Sequence, residues 1–114
     1  MTAREFLIQL KNDPEGISFG DTIQLIDTSY HFEPTAFKNG PLSNEPGQNT
    51  GSCKVFSFAL HHKLSKEETL ACFGSYYRND VLKNPTGDDH QNIRNFMKTG
   101  WEGIVFDKEA LNIK

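Results

Sequence analysis

Five consecutive residues, Asp88-Asp89-His90-Gln91-Asn92, put two carboxylates, an imidazole and two amides at the head of an apolar-periodic run in a 114-residue chain. Such a set can move a proton, hold a cation or bind a polar ligand, and it also makes a helix start. As a helix start, Asp88 is the expected N-cap with Gln91 as its box partner, and Asp89 lies in the first turn, where the dipole favours a carboxylate. His90 is left over. Near a helix N-terminus its imidazole is disfavoured as a cation, so it can accept a proton or ligate a metal, while Asp89 pulls the other way. Further on, Ile93, Phe96 and Met97 are expected to face the core, with His90, Arg94 and Lys98 together on a solvated face.

A second dense patch is Tyr76-Tyr77-Arg78-Asn79-Asp80. Tyr77 falls on an apolar stripe, whereas Tyr76 and Asp80, four apart, share a more polar side. Arg78 offers a donor fork for a carboxylate or phosphate, and near a helix C-terminus it also simply complements the dipole. His61-His62 with the 88–90 cluster would be enough ligands for a metal, but adjacent histidines on a helix point about 100° apart. No H-x-x-x-H spacing is present, so no metal is expected. Cys53 and Cys72 lack C-x-x-C spacing and are expected as reduced, buried packing residues rather than nucleophiles. Gly47-Gln48-Asn49-Thr50-Gly51-Ser52 precedes a helix and could cradle an anion, yet the Gly-Lys-Ser/Thr ending of a Walker loop is missing. No cofactor motif is recognised, and none is expected.

The elements that must position these residues are short. Phe6, Leu7 and Leu10 predict a helix over residues 3–12, opened by a Thr2-x-x-Glu5 box and closed by Pro14 and Gly16. Phe19, Ile23, Ile26 and Tyr30 predict a second helix entered at Ser18. Thr35-Ala36-Phe37 reads as a small strand stopping at Asn39-Gly40, and residues 39–51 as a long loop. Ser52 is the expected cap of a buried helix with Cys53, Phe56 and Leu60 on one face. Ser65-Lys66-Glu67-Glu68 opens another, whose Leu70, Phe73, Tyr77 and Val81 recur at helical spacing, with Gly74 marking a close contact. Asn84-Pro85-Thr86-Gly87 is a turn, and Gly103-Ile104-Val105-Phe106 a strand that can pair with residues 35–37. The expected fold is α+β and mainly helical, with about five helices and one very small sheet of two or three strands.

Residues 1–114 are expected to form one domain, burying roughly two thirds of the unfolded surface. Twelve Lys and Arg against fifteen Asp and Glu give a net charge of −3 with no basic block, which argues against a nucleic-acid partner. The longest apolar run, Leu70 to Phe73, is far short of the ~20 residues of a membrane-spanning helix. The capping box at Thr2 favours a folded start over a cleavable signal, so a cytoplasmic location is expected.

Three strings are distinctive together: DTIQLIDTSYHFEPTAFKNG, NEPGQNTGSCKVFSFA and ETLACFGSYYRNDVLKNPTGDDHQNIRNFMKTGW. With them the chain resembles the HopJ type III effector family from Phe6 to Leu111, nearly its whole length. The resemblance implies a bacterial protein, delivered into a host cell by type III secretion, and brings no catalytic residue with it. The leading expectation is therefore an effector-like interaction module that contacts a host or cytoplasmic protein, not an enzyme. The alternative is a small ligand-binding domain or enzyme in which the 39–51 loop and the helix start near residue 88 converge. In that case Asn49, Arg78, Asp89 and His90 share a cleft.

Overall fold

The computed structural model describes residues 1–114. It begins with α1 (Ala3–Asn12), a 3-10 turn (Pro14–Gly16) and α2 (Phe19–Ser29). Both helices open on reciprocal boxes, Thr2 with Glu5 and Ser18 with Asp21, each satisfying two backbone donors that a helix start leaves free. The chain runs directly from α2 into β1 (Tyr30–Phe32), followed by β2 (Phe37–Asn39), β3 (Leu42–Asn44), α3 (Thr50–His61) and α4 (Lys66–Ala71). A π-helical turn (Tyr76–Val81), α5 (Gln91–Thr99) and a 3-10 turn (Gly100–Gly103) lead to β4 (Ile104–Phe106) and β5 (Leu111–Ile113). The architecture is α+β and mainly helical. No helix is long and apolar enough to cross a membrane.

The strands form two antiparallel sheets. One is ordered β3-β2-β4 with Phe37 opposite Phe106, so the segment anticipated at 35–37 does pair with 104–106, but shifted to Phe37–Asn39. The other joins β1 to β5, with Tyr30 opposite Ile113, and is an addition. Tyr30 continues the helical stripe of α2 in sequence, and three residues at Leu111 are too few for alternation to show.

Three expectations are corrected. Residues 39–51 are not one loop: Leu42–Asn44 pairs with Phe37–Asn39 across a turn at Gly40-Pro41, and α3 starts at Thr50, capped by Asn49 rather than Ser52. Its asparagines resemble loop residues, yet Asn39 and Asn44 are buried, with the side-chain amides of both donating to Asn92. Leu60 is 46% exposed; α3 instead buries Cys53, Val55, Phe56, Phe58 and Ala59. The helix expected from Lys66 through Val81 breaks at Gly74, which has φ +60°. A Cβ there would lie 2.6 Å from the Phe19 backbone nitrogen, so the close contact is real and only glycine fits it.

The core is a single cluster of 22 buried residues packed around α3. The Phe56 ring meets Phe37, Phe73, Phe96 and Trp101 at centroid distances of 5.0 to 6.3 Å, mostly edge-on, which is the favoured aromatic geometry. Cys53 and Cys72 are free thiols inside it. Burial pushes the Cys53 thiol up, and pushes Cys72 up to about 12, so both pack as small hydrophobes. This core fixes the starts of α3 and α5 side by side against the Phe19 end of α2.

Candidate functional site

Two helices begin in the same unusual way. Asn49 (φ 49°, ψ 48°) and His90 (φ 50°, ψ 49°) are the N-caps of α3 and α5, and both stand in the left-handed region that side chains other than glycine visit rarely. Neither cap's side chain accepts a hydrogen bond from its own helix. The first-turn N–H groups of Thr50, Gly51, Ser52, Gln91, Asn92 and Ile93 consequently have no protein acceptor. The expected cap, Asp88, is exposed and sits outside the helix; its backbone carbonyl accepts from the Gln91 amide instead. Local sequence favours a cap at Asp88, but turning His90 left-handed delays the helix until Gln91.

Each cap side chain has another partner. The Asn49 amide donates to Asn44 Oδ1 at 2.6 Å. His90 Nε2 lies 3.0 Å from Asp80 Oδ2, while the ring rests on Tyr76 at a centroid distance of 5.0 Å and 30° between planes. The Asp80 carboxylate is acceptor-only, so His90 donates to it from Nε2. Tyr76 and Asp80, which four-residue spacing placed on one polar side, thus hold His90 together from the π-helical turn. Single π turns of this kind occur frequently at functional sites.

Beneath the caps lies an asparagine cluster. Asn39 donates to the Asn92 backbone carbonyl at 2.7 Å and side-chain oxygen at 3.0 Å, and Asn44 and Asn92 exchange amide bonds at 3.2 and 3.0 Å. All three are buried. The network ties the β2–β3 hairpin to the first turn of α5 and, through Asn49, to the start of α3. Buried amides can remain only if paired in this way. One acceptor, Asn39 Oδ1, has no partner.

The structure separates the four residues named from sequence. Asn49 and His90 line one cleft of about 510 Å³ between the starts of α3 and α5. Asp89 does not line that cleft: its Oδ1 pairs with Arg94 Nη2 at 2.5 Å, and this hydrogen bond holds the carboxyl below the usual range, while Oδ2 stays 3.9 Å from His90 Nε2. Arg94 is buried rather than solvated: it also donates to the Asp89 and Asn84 carbonyls, and a Cβ on Gly87 would stand 2.7 Å from it. Asp89 therefore anchors the 84–89 turn. Arg78 points elsewhere as well, donating to the carbonyls of Ile17 (2.9 Å) and Pro14 (3.4 Å) to clamp the first 3-10 turn. Lys98, one turn further along α5, is exposed.

Sequence reasoning missed several lining residues. Phe19, Phe73 and Ile93 read as ordinary core positions, and Gly51 and Ser52 as loop and cap. Only the glycine-rich approach to α3 hinted at them. His61 and His62 lie elsewhere, against Tyr30, whose hydroxyl is 2.7 Å from His62 Nε2. Burial first, and the charge of His61 second, hold His62 below its ordinary value. No group of three or more histidine, cysteine or acidic side chains is arranged to hold a metal.

The cleft combines unpaired backbone donors, an imidazole, a side-chain hydroxyl and aromatic faces, a set suited to a polar or anionic small molecule. Its setting is shared. A solved crystal structure of a protein of unknown function, VPA0580, is 53% identical to this chain and superposes with a TM-score of 0.99, the match covering 100% of this chain and 95% of that one. No curated protein matches. The family described as HopJ type III effector protein matches over residues 3–111. The chain belongs to the HopJ type III effector family.

Proposed function

We propose that the protein is a small ligand-binding domain, and that its working site is the cleft where α3 and α5 begin. One observation carries this reading: the caps of two separate helices, Asn49 and His90, both adopt a left-handed conformation and both line the same concavity. Residues held in such conformations cost on the order of 1–3 kcal/mol each and cluster at functional sites. Here their effect is to turn two cap side chains off their helices and leave the first-turn N–H groups open. The ligand is a small molecule with an anionic or acceptor-rich group directed at those donors, and about 510 Å³ is within the size range of small-molecule sites.

A second reading, in which the protein acts in a host cell through a protein partner after type III secretion, is favoured by the family's description. The two are compatible if the cleft serves the effector role. They differ in what a ligand screen shows. Thermal unfolding of wild type and of His90→Gly in a panel of small carboxylates and phosphates tests the site. A ligand at about a hundred times its Kd adds roughly 2.7 kcal/mol to stability. The expected result is a clear rise in Tm for one or more acids in the wild type, lost in His90→Gly. No rise with any acid removes the ligand-binding reading and leaves the interaction module.

A further inference from the structure

One wall of the cleft is a continuous row of four rings. Phe73 stacks on Phe19 (6.2 Å, 14°), Phe19 meets Tyr76 (5.0 Å, 55°), and Tyr76 meets His90 (5.0 Å, 30°). All four line the same concavity. The row is assembled from three parts of the chain, so it is not a by-product of one helix face. Phe19 opens α2, Phe73 and Tyr76 flank the break at Gly74, and His90 caps α5. Gly74 makes the assembly possible: its backbone approaches Phe19 closely enough that a Cβ would stand 2.6 Å from the Phe19 nitrogen. Across from the row, Gly51 presents backbone without a side chain, and a Cβ there would lie 2.8 Å from the tip of the Phe19 ring. Glycine at position 51 thus lets the tip of the Phe19 ring pack directly against the first turn of α3. Tyr76 stays 41% exposed, an unusual position for a large ring already touching two others.

We infer that the ligand of this cleft carries a flat aromatic or heteroaromatic ring, seated against Phe19, Tyr76 and His90, with the buried Phe73 ring backing Phe19 from the core. This rests on the reading of the cleft as a binding site and specifies what that site selects. Flat rings gain from offset or edge contacts with aromatic side chains beyond the burial of their area, whereas a saturated ring of the same size and charge gains burial alone. A planar acid also fits the distribution of donors, with its ring on the aromatic wall and its acid group toward the starts of α3 and α5.

Calorimetric titration with 2-naphthoate and with decahydronaphthalene-2-carboxylate, which have the same carbon skeleton and charge, tests the inference. Inorganic phosphate serves as a probe for the donors without any ring. The expected result is that 2-naphthoate binds roughly three- to tenfold more tightly than its saturated counterpart. Tyr76→Leu, a change at a half-exposed position that keeps apolar bulk, should erase that preference, bringing the two bicyclic acids to within about twofold of each other. Gly51→Ala should weaken 2-naphthoate by crowding Phe19 into the opening. Equal affinity for the two bicyclic acids, or a preference that survives Tyr76→Leu, overturns the aromatic inference and leaves the cleft as an acid site. Failure of both acids and of phosphate to bind overturns the ring inference and the binding site together.

Discussion

Asn92 is the residue on which the polar interior turns. Its side chain accepts from both Asn39 and Asn44 and donates to Asn44, so truncating it removes three buried hydrogen bonds at once, although Asn39 keeps the Asn92 carbonyl and Asn44 keeps Phe37 and Asn49. Each such hydrogen bond contributes about 0.5–1.5 kcal/mol net. Asn92→Ala is therefore expected to lose at least 2 kcal/mol in urea denaturation, and Asp88→Ala, outside the helix and exposed, to stay within about 0.5 kcal/mol of wild type. A loss at Asp88 as large as a lost cap would restore the cap role that the sequence alone favours. That difference shows what could not be read in advance. Asp88-x-x-Gln91 satisfies a local rule, and nothing local announces that His90 turns left-handed to meet Asp80 and Tyr76. Asn49 and His90 were legible as candidates from their types. Asp89 and Arg78 were equally plausible by type and are spent on structural anchors, a distinction only tertiary contacts make.

Among the elements, the helices with strong local signals were legible. The boxes at Thr2, Ser18 and Ser65 form as their spacing requires, each reciprocal. Strands of three residues were half legible: β2 and β4 carried a turn signal and an apolar run, while β1 and β5 had neither. Gly74 illustrates the remaining gap. Its helical context in sequence is sound, yet the chain breaks there because backbone-to-backbone approach to Phe19 needs a left-handed glycine. Gly74→Ala meets both penalties, the left-handed one alone amounting to about 1–2 kcal/mol. A loss of more than 2 kcal/mol by thermal or urea unfolding is expected; a neutral or stabilising effect would mean that the break at Gly74 does not hold α2 against the π-helical turn.

For the whole molecule, the buried thiol of Cys72 makes stability depend on alkaline pH. An ordinary thiol loses its proton near 9.0, the folded Cys72 only near about 12, because burial disfavours the thiolate. Between those values the unfolded chain holds fewer protons than the folded one, so stability is full below about pH 9 and falls as pH rises toward 12. Burial raises Tyr30 in the same sense and adds to the fall above its ordinary value. Urea midpoints across pH 8 to 11 check this, with Cys72→Ala expected to make the profile shallower while Cys53 and Tyr30, both raised by burial, keep part of the fall. A flat wild-type profile would place the Cys72 thiol outside the core. The same core sets two helix starts beside one another, and the solved structure of VPA0580 shares the fold that carries them.

The cleft's role is tested most directly by mapping backbone amide shifts in nitrogen-15 NMR while the wild type is titrated with the acid that raises Tm most. The account predicts that the amides of Thr50 to Ser52 and of Gln91 to Ile93 move first and saturate together, with Tyr76 and His90 following in the same isotherm. Shifts that begin elsewhere, or leave those six amides unmoved at saturation, would contradict it.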